Sequence, residues 1–285
     1  MSATTKMQFA LGPVQETLLI PLLGRAEETR KSRGLIDDPK AVELVETLDY
    51  DFDKWRGTGS LVGATIRTRM YDAEVKAFLT RSPKGTVVEI GCGLNTRFER
   101  LDNGEATWFE IDLPDSMELR RRFFEDTERR TMIAGSATET DWHDQVAATG
   151  GPWLFVSEAV IIYLPKPEVE RALRGLAQRF PGAQLLMDTT SRAMVQSQHK
   201  HDVMRTLPPE SWFRWECDDP AELSDWGVEL KASKTFLDAP EELVAGLPWV
   251  YRVLARWAPW IMRRRISGYR INVFELSKKQ EKDDE

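Results

Sequence analysis

The sequence predicts a doubly wound α/β fold: a seven-stranded, mostly parallel sheet preceded by an N-terminal helical cap. Two stretches carry that prediction. Thr86-Val87-Val88-Glu89-Ile90 is a short apolar, β-branched run of the kind that forms a buried strand, and it breaks at once into Gly91-Cys92-Gly93. Ala106 to Asp112 is a second such run, ending in Glu110 and Asp112 and followed by Leu113-Pro114. Further runs of this kind alternate with helix-period segments along the chain, the pattern of a sheet wound by crossover helices.

The bulk properties set the frame. With 285 residues, one domain with an appendage is expected rather than two full domains. A hydrophobic content of 41% and a charged content of 30% are those of a globular chain with an ample core. The net charge of −7 and pI near 5.3 argue against nucleic acid as the main partner. Two cysteines make no disulfide framework, which points to a reducing cytoplasm, and Cys92 reads as a small filler of the glycine turn. The N-terminus carries no h-region, and no apolar run is long enough to insert stably in a bilayer. Ten tryptophans suggest aromatic surface in a pocket or at an interface, such as that of a homodimer. No metal site is expected.

In chain order, residues 1–82 are expected to form the cap. Val14 to Arg33 has apolar residues at helical spacing, and Asp37-Asp38-Pro39-Lys40 opens a second helix with an acidic cap and a proline at its first position. Gly63 to about Leu79 is a third, with Arg69 set to pair with Asp72. Residues 83–276 are expected to hold the sheet. After the first two strands come a helix over Ser116–Glu128, a strand over Thr131–Gly135, a helix from Asp141 and a strand over Pro152–Glu158. A helix over Pro167–Arg179, a strand over Ala183–Asp188 and two last strands near Val228–Phe236 and Tyr269–Leu276 complete the sheet. Leu247 to Arg265 is basic and aromatic. Its prolines favour a connection packed on the sheet or at a subunit contact over a membrane-surface helix. Residues 277–285 form a charged tail, expected to be disordered.

The glycine corner is where a ligand is expected. A strand, a glycine turn and a helix start form the nucleotide-binding corner of a Rossmann-like sheet, and Gly91 and Gly93 let the backbone approach the ligand closely. A carboxylate about 20 residues further on is placed to accept bonds from a ribose diol. Glu110 and Asp112 both qualify, and strand alternation is left to decide between them. The dinucleotide fingerprint wants a third glycine where Thr96 stands, and the helix after it is short for a pyrophosphate. S-adenosyl-L-methionine has no phosphate and fits this corner better.

The glycine turn with Asn95-Thr96-Arg97, then Phe109-Glu110-Ile111-Asp112-Leu113-Pro114 and the Leu119-Arg120-Arg121 helix, resembles the leucine carboxyl methyltransferase family. Within it, the likeness is to the bacterial polyketide O-methyltransferases of the tetracenomycin type. The resemblance runs from Glu16 to Ile271 and implies a class I S-adenosylmethionine-dependent O-methyltransferase. It also implies roles: Arg67 as the cation for the methionine carboxylate, with Arg30 as a second, and Glu158 at the end of the fourth strand for the cofactor's amino group and sulfonium. Many adenosylmethionine enzymes bond the adenine amino group with an acid after the third strand. Here Ser136 and Ala137 stand there, and the Ser136 hydroxyl or the backbone must serve. Tyr163 is expected as a pocket wall, Arg192 as a binder of an acidic group on a small-molecule acceptor, and His199 or His201 as a general base. No residue is demanded as a base, which favours a carboxylate acceptor over a phenol. Two other classes fit less well: a nicotinamide-dependent oxidoreductase, which lacks a clear Tyr-x-x-x-Lys pair here, and a non-catalytic scaffold on the same fold.

Overall fold

A computed structural model describes residues 6–240, 242–243 and 268–278. The basic, aromatic segment expected over 247–265 and most of the charged tail lie outside these residues.

The chain enters through a single 3-10 turn, Gln15–Leu18, into α1 (Leu19–Thr29), which is shorter than the run from Val14 to Arg33 that the periodicity predicts. Then α2 (Pro39–Thr47) starts as its sequence demands: the Asp38 carboxylate accepts the Ala41 N–H at 3.0 Å and Pro39 takes the first position, where no N–H is needed. A long helix, α3 (Gly59–Arg81), leads to the first strand. Arg69 on it faces Glu242 rather than Asp72, because Arg97 and Arg100 claim Asp72.

Among the described residues the sheet has seven strands: β1 (Thr86–Ile90), β2 (Thr107–Asp112), β3 (Arg130–Ala134), β4 (Trp153–Ser157), β5 (Gln184–Thr190), β6 (Val228–Lys234) and β7 (Tyr269–Leu276). Their order is β3-β2-β1-β4-β5-β7-β6, and β7 runs antiparallel to both its neighbours. This is the doubly wound sheet the sequence predicts. The connections are α4 (Arg97–Leu101), α5 (Pro114–Arg120), α6 (His143–Ala147), α7 (Lys166–Arg179) and α8 (Arg192–Ser197). The helix expected over Ser116–Glu128 stops at Arg120, whose side chain turns inward to a buried carboxylate. Between β1 and β4 the winding reverses, which opens a crevice beyond their C-terminal ends.

Two apolar clusters hold the chain. One packs the sheet against α7 and the inner face of α3, through Ile66, Tyr71, Val75 and Phe78. The other joins α1 and α2 to Cys92, Leu94, Met117 and the stretch Val203–Leu207. So α3 packs with the sheet, while α1 and α2 lie over the glycine turn. Trp55, Trp108, Trp142 and Trp215 are buried in these clusters, and no described tryptophan lines the crevice, whose aromatic residues are Tyr163, Phe213, Phe236 and Tyr269; Trp249, Trp257 and Trp260 lie outside the described residues.

Candidate active site

The crevice holds a cavity of about 320 Å³, reached by the C-terminal ends of β1, β2 and β4 and by the segments 14–21 and 194–213. Its floor is the turn after β1. Gly91 and Gly93 both have positive φ, +69° and +47°, which L side chains adopt at a cost of roughly 1–2 kcal/mol. A Cβ on Gly91 would stand 2.3 Å from Val160 Cγ2, and one on Gly93 would stand 3.2 Å from Leu18 Cβ. The sequence suggests that these glycines make room for the ligand. The structure adds a second reason: they also make room for Val160 and for the cap.

Charge is concentrated around this floor. Arg97 is buried and donates to Asp72 at 2.8 Å, Glu89 at 2.7 Å and Glu158 at 2.5 Å. Glu158 also accepts from Arg67 Nε at 3.0 Å and from the Thr68 hydroxyl at 2.8 Å. Burial alone would raise the Glu158 pKa, but the two guanidiniums beside it prevail and hold it down to about 2. Arg67 spends one amino nitrogen on the Tyr269 hydroxyl at 3.2 Å, while its other amino nitrogen has no partner among the described residues. Tyr269 in turn donates to Asp188, which also accepts the Ala159 N–H at 2.8 Å. Burial pushes Asp188 up to about 6, against the opposing pull of Arg67 and Tyr269. Ala159 has φ +54°, a strained position for a residue with a Cβ, and the Asp188 bond fixes it.

Most of the expected residues meet here. Arg67, Gly91, Gly93, Asp112, Ser136, Ala137, Glu158, Tyr163 and His201 all line the cavity. Glu110 and Asp112 are two apart on one strand and so share a face; alternation does not separate them. What separates them is Arg120, which takes both oxygens of Glu110, at 2.9 and 2.6 Å, and leaves Asp112 at the cavity with no cation bonded to it among the described residues; its donors are the backbone N–H groups of Gly93 (2.6 Å) and Leu113 (2.7 Å) and the Ser116 hydroxyl. Three expected residues stand elsewhere. Arg30 is on the surface, paired with Glu27 and Glu46; Arg192 is exposed and paired with Glu216; His199 is exposed on the turn after α8. Helical rotation carries Arg30 outward, and the cation that reaches the cavity from α1 is instead Arg25, one and a half turns earlier.

The sequence reading passed over Arg25, Glu89, Asn95, Arg97 and Tyr269, all of which line the cavity. One signal was there: Glu89 sits inside an apolar strand, where a carboxylate survives only with a partner. A test of fit for the expected cofactor lies in Asn95, whose Oδ1 is buried at the cavity with no donor bonded to it. An ammonium or a ribose hydroxyl would satisfy it, and a carboxylate would satisfy the Arg67 amino nitrogen that has no partner among the described residues.

Comparison with known proteins bears on the chemistry. The family model described as leucine carboxyl methyltransferase matches residues 19–177. The chain is 30% identical over 231 residues to the tetracenomycin polyketide synthesis O-methyltransferase TcmP of Streptomyces glaucescens, covering 80% of this chain and 84% of that protein. It is 26% identical over 299 residues to the S-adenosyl-L-methionine-dependent methyltransferase dpfgK of Gibberella zeae, covering 94% and 99%. A putative sarcosine dimethylglycine methyltransferase from Galdieria sulphuraria superposes with a TM-score of 0.48 at 12% identity over 80% of this chain and 91% of that one, too distant to add weight.

Proposed function

Because the chain belongs to the leucine carboxyl methyltransferase family and is an S-adenosyl-L-methionine-dependent methyltransferase, we propose that it methylates a carboxylate oxygen of a small, largely apolar acceptor. With this family the nicotinamide and scaffold alternatives fall away. The observation that carries the acceptor reading is that, among the described residues of the cavity, the candidate bases other than Asp112, which this reading gives to the ribose, are already engaged. Glu158 and Glu89 are tied to Arg97, and Glu158 stays ionised to about pH 2. His201 Nδ1 accepts the Met204 N–H at 3.4 Å, its Nε2 faces the Ser60 hydroxyl at 3.3 Å, and burial lowers its pKa. A phenol would need its proton removed, whereas a carboxylate is already an anion near neutral pH.

The cofactor supplies an activated methyl group and a neutral leaving sulfur. The chain's own residues bind, orient and exclude water. In this reading Asp112 would accept from the ribose hydroxyls, the Arg67 amino nitrogen with no partner among the described residues would grip the methionine carboxylate, and Glu158 with Glu89 would face the cationic end. Gly135, Ser136 and Ala137 border the adenine. The acceptor's body packs against Leu164, Met194, Val203, Met204, Phe213 and Phe236, which line the rest of the cavity. The name of the Streptomyces relative, a polyketide synthesis O-methyltransferase, supports a polyketide-like body for that acceptor.

The test is turnover of an aromatic acid against its phenol-only analogue from pH 6 to 9. The expected result is a rate on the acid that stays level with pH and exceeds that on the phenol by about 100-fold or more. A phenol preferred over the acid, with a rate that climbs with pH, overturns the proposal.

A further inference from the structure

The carbonyls of the glycine turn are held from behind. Arg120 donates from Nη1 to Gly93 O at 3.0 Å and to Asn95 O at 2.7 Å, and Arg25 donates from Nη2 to Leu94 O at 2.8 Å. Three successive carbonyls are thus turned to two buried guanidiniums that come from different parts of the chain. A peptide group is planar, so a Gly93 carbonyl aimed at Arg120 turns the Leu94 N–H to the opposite side. Leu94 lines the cavity.

Arg120 has no exposed surface, and all three of its nitrogens are engaged. The other two hold Glu110, and the Phe124 ring lies 4.2 Å from the guanidinium carbon. Glu110 lies beside Glu89 in the parallel register of β1 and β2, so two buried carboxylates stand side by side. Arg97 answers one and Arg120 the other.

We propose that Arg120 is a positioning residue for methyl transfer: it sets the shape of the Gly91–Asn95 turn that receives the cofactor, with Glu110 as its counter-ion and not as a ribose ligand. The proposal rests on the reading of this turn as the cofactor corner. A purely structural alternative is that Arg120 serves only to neutralise Glu110. The two differ in what happens when both charges go. In Arg120→Met/Glu110→Leu no carboxylate is stranded, and only the bonds to Gly93 and Asn95 are missing.

The experiment measures calorimetric affinity for S-adenosylhomocysteine, thermal melting, and KM against kcat in the full chain. Arg120→Met alone is expected to lower the melting temperature and to weaken binding. The double variant is expected to regain most of the melting temperature while its affinity stays about 20-fold or more below wild type, from the loss of two charge-assisted bonds. Its KM for S-adenosylmethionine should rise with kcat and acceptor KM within about twofold. An affinity restored along with the melting temperature overturns the proposal. Should the double variant not fold, Arg120→Lys decides: it keeps the charge beside Glu110 but cannot reach both carbonyls, so a several-fold rise in cofactor KM is expected and an unchanged KM refutes the role. Wild-type protein that fails to bind S-adenosylhomocysteine sinks the reading of the corner itself, which keeps the two failures distinct.

Discussion

Glu158→Gln tests the charge cluster under the cavity most sharply. The wild-type carboxylate is shared by Arg67 and Arg97 and accepts a third bond from Thr68. Its pKa is held at about 2 in the folded chain against 4.5 for a free glutamate. Between those values the unfolded chain binds a proton that the folded chain does not, so stability rises with pH across that window. The contribution is present in full above about pH 4.5 and is lost as pH falls towards 2, and a shift of this size is worth about 3 kcal/mol. Removing the charge also leaves the largely buried Arg67 without its carboxylate partner, while Arg97 keeps Asp72 and Glu89, and breaking a buried pair costs about 3–5 kcal/mol. Urea unfolding at pH 7 should therefore show the variant less stable by roughly 3–5 kcal/mol, with the gap to wild type shrinking steadily from pH 4.5 downwards. A gap under about 1 kcal/mol at pH 7, or one that does not change with pH, would refute the reasoning.

Other outcomes follow from the same geometry. Asp188, raised to about 6 from 3.8, keeps a proton in the folded chain that the unfolded chain has released, so its contribution to stability falls as pH rises between those values; Asp188→Asn should gain on wild type over that range in urea melts. Asp112→Asn should raise the KM for S-adenosylmethionine by about 10- to 100-fold, since one charged acceptor is lost, with little change in melting temperature. Gly91→Ala should destabilise by about 2 kcal/mol or more, from left-handed strain and the approach to Val160, and Val160→Ala in the same chain should recover part of it in denaturant unfolding. His201→Gln should leave the pH profile for an acid acceptor unchanged; loss of a basic limb in that profile would mark His201 as a base.

The five parallel strands were the most legible part because each is an apolar run closed by glycine, proline or an acid. The last strand is expected over Tyr269–Leu276 and found there. The cap was legible at the Asp38-Pro39 start of α2, where one side chain and one ring specify the boundary, and less so in α1, where periodicity runs on beyond Thr29. The site was partly legible. Gly91, Gly93, Asp112, Glu158 and Arg67 come to one cavity because strand ends and α3 converge there. The partition of charge among them was not legible. Whether Arg120 meets Glu110 or solvent, or Arg97 meets Glu89, depends on turns such as the early end of α5, which sequence periodicity does not specify. Arg30 and Arg192 fail for the same reason: a cation's composition is visible in sequence, its direction on a helix end is not.

The central claim is that this turn receives S-adenosylmethionine with Asp112, not Glu110, at the ribose. A crystal structure of the protein with S-adenosylhomocysteine addresses it directly. The account expects the ribose hydroxyls within hydrogen-bonding distance of the Asp112 carboxylate while Glu110 remains paired with Arg120. A ribose bonded to Glu110, with Arg120 displaced from the Gly93 and Asn95 carbonyls, would contradict it.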